Sequence, residues 1–331
     1  MAVETVEAFL QKIMSISSLT GQEAALGNFL ADYLEAEGFD VVKMPVDGER
    51  NNIYARVGKP AIVLQAHMDV VPPFIPPTED EEWIYGRGAC DTKGSIAAMI
   101  QAAIEAKKKG IENFGVLFTV DEEVGFSGAQ TAAQFVEDLG AYLVVGEPSQ
   151  LRPVNAHYGI LVFSIECRGK SAHSSEPQLG ENAIDALVTI LSEDLDRLEV
   201  AKSTLLSVVT ISGGVADNVI PDRAEALVSF RISPGDTRQY ATEFQQIIGK
   251  RGTVKAAQSL PPVFTQIPSS LDFLGEGQSV KYCTELSFFK NGVVLGPGDI
   301  AVAHRPDEKV RKVDLRRAQE IYVRILREYR A

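Results

Sequence analysis

Three consecutive carboxylates, Asp121, Glu122 and Glu123, follow the apolar run GVLF (residues 115–118) within the segment TVDEEVG. Adjacent acids repel one another, and the default expectation for such a run is a solvated turn at the mouth of a helix, where the dipole favours negative charge. Residues of related chemistry occupy equivalent places along the chain. AIVLQA (61–66) runs into His67, with Asp69 two residues on, and AYLVVG (141–146) runs into Glu147. GRGACD sets Asp91 ahead of a helix, and the glycine-rich GPGDIAVAH supplies His304. Each has an ordinary reading by itself: a surface histidine, an N-cap aspartate, a loop acid. Together, beyond the carboxyl ends of apolar runs, they form a candidate constellation, because α/β sheets build their sites there.

If these groups converge, two imidazoles and three carboxylates make a borderline-to-hard ligand set, suited to Zn2+ or Co2+. Asp91 would bridge two ions ~3.5–4 Å apart, as in two-metal hydrolases. His67 and Glu147 would complete one ion, Glu123 and His304 the other. Two dications then balance the three carboxylates and one hydroxide. On an extended strand Asp69 shares a side with His67, which suits an acceptor that fixes the imidazole tautomer. Rival motifs fail on spacing. In GRGACDTKG, Lys93 does not follow the P-loop frame and Asp91 stands where a dinucleotide fingerprint needs glycine. No GxSxG pentapeptide is present.

The elements that must position these residues are legible in the hydrophobic pattern. Thr20 and Glu23 have the spacing of a capping box for a helix through GQEAALGNFLADYLEAEGF, closed by Gly38. AIVLQA, FGVLFTV (114–120) and AYLVVG are continuous apolar runs, expected for strands buried on both faces. KGSIAAMIQAAIEAKKK (93–109) and QTAAQFVEDLG (130–140) are the helices between them. Alternation of this kind indicates an α/β architecture, with a largely parallel central sheet flanked by helices. After residue 158 the texture changes. ILVFSIECRG, TLLSVVTISGG (204–214) and AEALVSFRI alternate like strands of a sheet with one covered face, and NAIDALVTILSEDL (182–195) and DTRQYATEFQQIIG (236–249) read as helices. The first texture returns near 265 and ends in a long helix, VDLRRAQEIYVRILREY (313–329). The expected organisation is a catalytic domain of residues 1–158 and 265–331, interrupted by a smaller α+β domain of residues 159–264.

Bulk properties narrow the class. The 331 residues are 45% hydrophobic and 23% charged, ordinary for a folded soluble protein. A formal charge of −13 argues against nucleic acid as a partner. Cys90, Cys167 and Cys283 show no CxxC spacing, so neither a disulfide framework nor a thiolate zinc site is expected, and a reducing cytosol fits. Glu4 and Glu7 stand where a signal peptide would carry Lys or Arg, and no apolar stretch approaches the ~20 residues that span a bilayer. The expectation is a cytoplasmic protein with no membrane partner.

Seven segments, HMDVVP, YGRGACDTKG, TVDEEVG, VGEPS, RGKSAHSSEP, GGVADNVIP and GPGDIAVAHRPDEKV, occur in the order seen in the M20 metallopeptidase/deacylase family. The chain resembles that family over nearly its whole length. The resemblance implies a di-zinc catalytic domain interrupted by a lid domain that commonly mediates homodimerisation. It also implies that assignment of roles, with Glu122 as general base, Asp69 beside it among the catalytic residues as the acceptor for His67, and Glu123 as a metal ligand. His173, in GKSAHSSEP, resembles the histidine that polarises the scissile carbonyl, often from the neighbouring subunit. Asn218 and Arg231 match positions that contact substrate, and a guanidinium suits a carboxylate bidentately. GEPSQLRPVNAHYG, the YCTE of YCTELSFF and GPGDIAVAHRPDE are most similar to the acetylornithine deacetylase subgroup, which implies a small-molecule N-acyl amino acid as substrate, in arginine biosynthesis. Desuccinylation of a diaminopimelate precursor, dipeptide cleavage and a non-catalytic scaffold are the alternatives.

Overall fold

The structure, a computed structural model, describes residues 4–198, 206–234 and 239–330. Helix α1 (Val6–Met14) opens on Thr5, whose hydroxyl accepts the Ala8 N–H, and buries the stripe Val6, Phe9, Leu10, Ile13 and Met14. That i, i+3, i+4, i+7 spacing is an amphipathic face. Helix α2 (Ala24–Ala36) leads into the hairpin β1 (Asp40–Asp47) and β2 (Arg50–Val57). Strand β3 (Ile62–His67) is buried at every position. Two short strands, β4 (Thr78–Glu79) and β5 (Trp83–Tyr85), precede α3 (Lys93–Lys108), then β6 (Phe114–Thr119), α4 (Ser127–Leu139), β7 (Tyr142–Val145) and β8 (Val154–His157).

The second stretch contains β9 (Gly159–Arg168), α5 (Ala183–Thr189), β10 (Leu206–Gly213), β11 (Arg223–Ile232), α6 (Tyr240–Ile248), β12 (Thr253–Leu260) and β13 (Val263–Phe264). The chain closes with β14 (Gln278–Val280), β15 (Gly292–Val294), β16 (Lys309–Arg311) and α7 (Lys312–Glu328). The first residues of the strand expected over 204–214 and of the helix expected over 236–249 (204–205 and 236–238) lie outside the described residues.

The chain divides into two compact units, one of Met1–Asn155, Thr265–Ser279 and Thr284–Ala331, the other of Ala156–Phe264 and Val280–Cys283. In the first, the strands run in the order β1-β2-β6-β3-β7-β15-β8. The pairs β6–β3, β3–β7 and β7–β15 are parallel, whereas β1–β2, β2–β6 and β15–β8 are antiparallel. The sheet is therefore mixed. Its parallel centre matches the buried apolar runs, and its antiparallel flank arises where β1 and β2 are joined by a tight hairpin, a connection too short for a parallel crossover. Helix α3 is almost entirely buried and its run of alanines keeps it close to its neighbours. Each large aliphatic side chain removed from water in this core contributes roughly 1.5–3 kcal/mol.

In the second unit a four-stranded antiparallel sheet runs β10-β11-β9-β12. Strands β9 and β11 alternate buried and half-buried residues, and α5 and α6 contribute Leu187, Phe244 and Ile248 to the same core. That is the one-covered-face pattern expected from the alternation in the sequence.

Candidate active site

The residues singled out in the first unit emerge at one end of its parallel strands. His67 is the last residue of β3. Glu122 and Glu123 follow β6, and Glu147 lies two residues beyond β7. Since β6, β3 and β7 are neighbours in the sheet, these groups come out side by side. Asp91 arrives from the turn ahead of α3, and His304 from the segment after β15, with a left-handed backbone at φ 64°.

Asp91 lies between the two histidines. Its Oδ1 is 3.2 Å from His67 Nε2 and its Oδ2 is 3.2 Å from His304 Nε2. Glu147 Oε1 approaches His67 Nε2 at 3.7 Å, on one side of Asp91. Glu123 Oε2 lies 3.0 Å from His304 Nε2, on the other. Glu122 Oε2 is 4.0 Å from His67 Nε2, facing the same centre without a hydrogen bond to it. The two adjacent glutamates, in the turn after β6, thus point to different histidines.

Asp69 meets His67 with both its backbone and its side chain. His67 Nδ1 is 2.9 Å from the Asp69 backbone carbonyl and 3.5 Å from its carboxylate Oδ1. With the proton on Nδ1, His67 donates to that carbonyl and directs its Nε2 lone pair at Asp91 and Glu147. The Asp69 carboxylate also accepts the N–H groups of Glu122 (3.0 Å) and Glu123 (3.1 Å) and the Thr20 hydroxyl (2.9 Å).

The electrostatics are those of a cluster short of positive charge. Burial pushes the Glu122 and Glu147 carboxyls well above the usual range, and raises Glu123 as well, with neighbouring carboxylates adding to each. Burial would drive His67 down, but Glu147, Asp69 and Asp91 outweigh it and hold the imidazole well above its ordinary value. Hydrogen bonds to Asp91 and Glu123 push His304 up to about 10. Burial acts to raise Asp91, yet the two histidines hold its carboxyl below the usual range. Glu147 Oε1 is buried without a hydrogen-bond partner. A buried carboxylate oxygen unpaired beside an imidazole nitrogen fits a cation, which supplies what no donor of the chain supplies. His67, Asp91 and Glu123 each offer a ligand atom within 4.8 Å of the others. This grouping takes one residue from each side of Asp91, and its donors fit a divalent ion bound at that carboxylate.

A sequence model described as peptidase family M20/M25/M40 matches residues 63–328. The chain belongs to that family. It is a hydrolase acting on peptide bonds. A protein of Aspergillus clavatus named a probable carboxypeptidase is 34% identical over 360 residues, covering 95% of this chain and 86% of that one. Among solved structures, a tripeptidase from Staphylococcus aureus has the same fold, with a TM-score of 0.82 at 21% identity over 97% of both chains. An M20 family metallo-carboxypeptidase from Sulfolobus solfataricus does too, with a TM-score of 0.79 at 18% identity over 98% of this chain and 99% of that one. No helix among the described residues of this M20 peptidase is long and apolar enough to cross a membrane.

In the second unit of the M20 chain, His173 is exposed and its Nδ1 is 2.8 Å from the Ser175 hydroxyl. Its neighbour Ser174 donates its N–H to the Asn218 carbonyl at 3.0 Å, so the His173 and Asn218 segments lie together. Arg231 is half-buried near the end of β11, paired in register with Ile160 of β9.

Two acids near this cluster are not among the residues singled out from the sequence. Glu308 is fully buried, pairs with Arg87 at 2.6 Å, and accepts the N–H groups of Cys90 (3.0 Å) and Asp91 (3.1 Å), so it holds the loop that presents Asp91. Glu285 is also fully buried, accepts the Thr119 hydroxyl at 2.8 Å and the Gln65 amide, and is pushed by burial up to about 7. Both stand inside quoted motifs, HRPDEKV and YCTE, and an acid at a fixed place in such a motif was the available signal.

Proposed function

We propose that this M20 peptidase is a two-metal carboxypeptidase-type hydrolase, cleaving the amide bond on the amino side of an amino acid with a free carboxylate. The observation that carries the reading is the placing of Asp91, one carboxylate oxygen toward each histidine at 3.2 Å. One ion would be held by His67, Asp91 and Glu147, the other by His304, Asp91 and Glu123, and zinc suits that donor set, with cobalt as its substitute. When bound, such ions supply Lewis acidity toward the scissile carbonyl and acidify the attacking water.

Glu122 acts as the base. Its carboxylate takes a proton from the attacking water as the C–O bond forms, and passes that proton to the amine nitrogen as the C–N bond breaks. Its burial and raised pKa suit a group that must hold the proton between the two steps. His173 is assigned to the carbonyl oxygen and Asn218 to substrate by the segments they occupy, and Arg231 to the substrate carboxylate by its matching position and its guanidinium. A cytoplasmic enzyme that pairs through its second unit belongs to the same reading.

The name carried by the 34%-identical relative favours a peptidyl acyl group. A second reading keeps the bond and changes the acyl group to acetyl, as in N-acetylornithine; the segments GEPSQLRPVNAHYG, YCTE and GPGDIAVAHRPDE favour it. Both substrates have the form acyl–NH–CHR–COO−. Assaying zinc- or cobalt-loaded protein on N-blocked dipeptides, their C-terminal amides and N-acetylornithine tests this. Turnover of free acids, with kcat/KM at least ~100-fold lower on the amides, is expected from losing a charged contact. Equal turnover of acids and amides, or of neither, contradicts the proposal.

A further inference from the structure

The turn that bears Glu122 and Glu123 is held by three successive backbone N–H groups, and each ends on a carboxylate. Glu122 and Glu123 donate to Asp69, while the Asp121 N–H donates to Glu23 Oε1 at 3.1 Å. Glu23 lies 98 residues upstream of Asp121, at the N-cap of α2, yet its side chain makes no bond to that helix. It is fully buried. Burying a carboxylate costs several kcal/mol unless it is paired and hydrogen-bonded. Arg50 Nη1 supplies the counter-charge, 3.2 Å from Oε1 and 3.4 Å from Oε2. Arg50 is itself fixed to Asp47 across the β1–β2 hairpin. Thr20, three residues before Glu23, donates its hydroxyl to Asp69.

Asp121 has a left-handed φ of 64°. That conformation is strained for an L-residue and persists only where the surroundings over-determine it. The surroundings here are Glu23 on its N–H, and Ser127 donating both its N–H (3.3 Å) and its hydroxyl (2.6 Å) to the Asp121 carboxylate. Hydrogen bonds to carboxylate oxygens are stronger than those to neutral acceptors, and these act against the strain.

We infer that Glu23, with Arg50 as its counter-ion and Thr20 bracing Asp69, is a positioning residue that holds the Asp121 end of the turn so that Glu122 keeps its aim, while the Asp69 contact holds Glu123. The inference rests on Glu122 being the base. Loss of Glu23 frees the first of the three anchored amides and leaves both Asp69 contacts and every metal-binding side chain in place. The effect should therefore fall on kcat, with KM and metal content held.

Hydrogen exchange of the 121–123 amides and steady-state kinetics, both on metal-loaded full-length protein, test it with Glu23→Ala, Glu23→Gln and the milder Thr20→Val. Glu23→Ala is expected to exchange at least ~10-fold faster in this segment and to lose ~10–100-fold in kcat, with KM within about twofold, as for a misplaced base. Glu23→Gln, which keeps an acceptor oxygen, should recover most of both, and Thr20→Val should speed exchange at Glu122 and Glu123. Wild-type exchange and kcat in Glu23→Ala would overturn the inference, as would equal losses in Ala and Gln that follow metal loss. If Glu23→Ala does not fold, unaltered exchange in Thr20→Val overturns it. Wild-type protein inactive on every acyl amino acid and peptide would overturn the proposed reaction, while the exchange data still decide the role of Glu23 in holding the turn.

Discussion

Glu122 and Glu123 are chemically identical and adjacent, and their difference lies in what each faces. Glu123 is in contact with His304, whereas Glu122 stands 4.0 Å from His67 with no hydrogen bond between them. The replacement Glu122→Gln is nearly isosteric and removes only the ability to accept a proton. It is expected to lower kcat by about 10²–10⁴-fold, the usual contribution of a general base, with two metal ions per chain retained. Wild-type kcat in that variant, measured alongside metal content, would assign the proton transfer elsewhere. The same substitution at Glu123 is different in kind: as a proposed ligand, its replacement is expected to lower metal content along with rate.

At the scale of elements, the active turn depends on a close approach between β6 and α4. A Cβ on Gly128 would come within 2.3 Å of the Val120 carbonyl oxygen and 2.7 Å of Asn52 Oδ1. Asn52 ties the two segments, donating to the Gly128 carbonyl at 2.8 Å and accepting the Val120 N–H at 3.2 Å. Gly128→Ala is therefore expected to cost about 1–3 kcal/mol in a denaturant titration and to reduce kcat by displacing the turn. Full stability with full activity would mean that the loop has more freedom than this packing allows. These elements also mark the limits of sequence reading. His67, Glu123 and Glu147 were legible because apolar runs announce buried strands, and sites form beyond their ends. The Thr20–Glu23 pair was not: a capping box and a support for a distant turn need the same residues at the same spacing, and only the fold shows that both side chains leave α2. The antiparallel flank of the sheet was equally hidden, because β2 has the same buried residues in either direction.

At the scale of the whole molecule, the first unit of this M20 peptidase gathers carboxylates from beyond β6 and β7 and from the turn ahead of α3 around two histidines, one at the end of β3 and one after β15. Such a cluster is tolerable only with compensating positive charge, and the separate contacts of Asp91 with His67 and His304 indicate where that charge belongs. The most direct measurement is a diffraction experiment on zinc-loaded crystals, with anomalous difference maps collected on both sides of the zinc edge. The expected result is two zinc peaks per chain, one on each side of the Asp91 carboxylate, the first beside His67 and Glu147 and the second beside His304 and Glu123. A single peak, or zinc bound away from Asp91, would contradict the account.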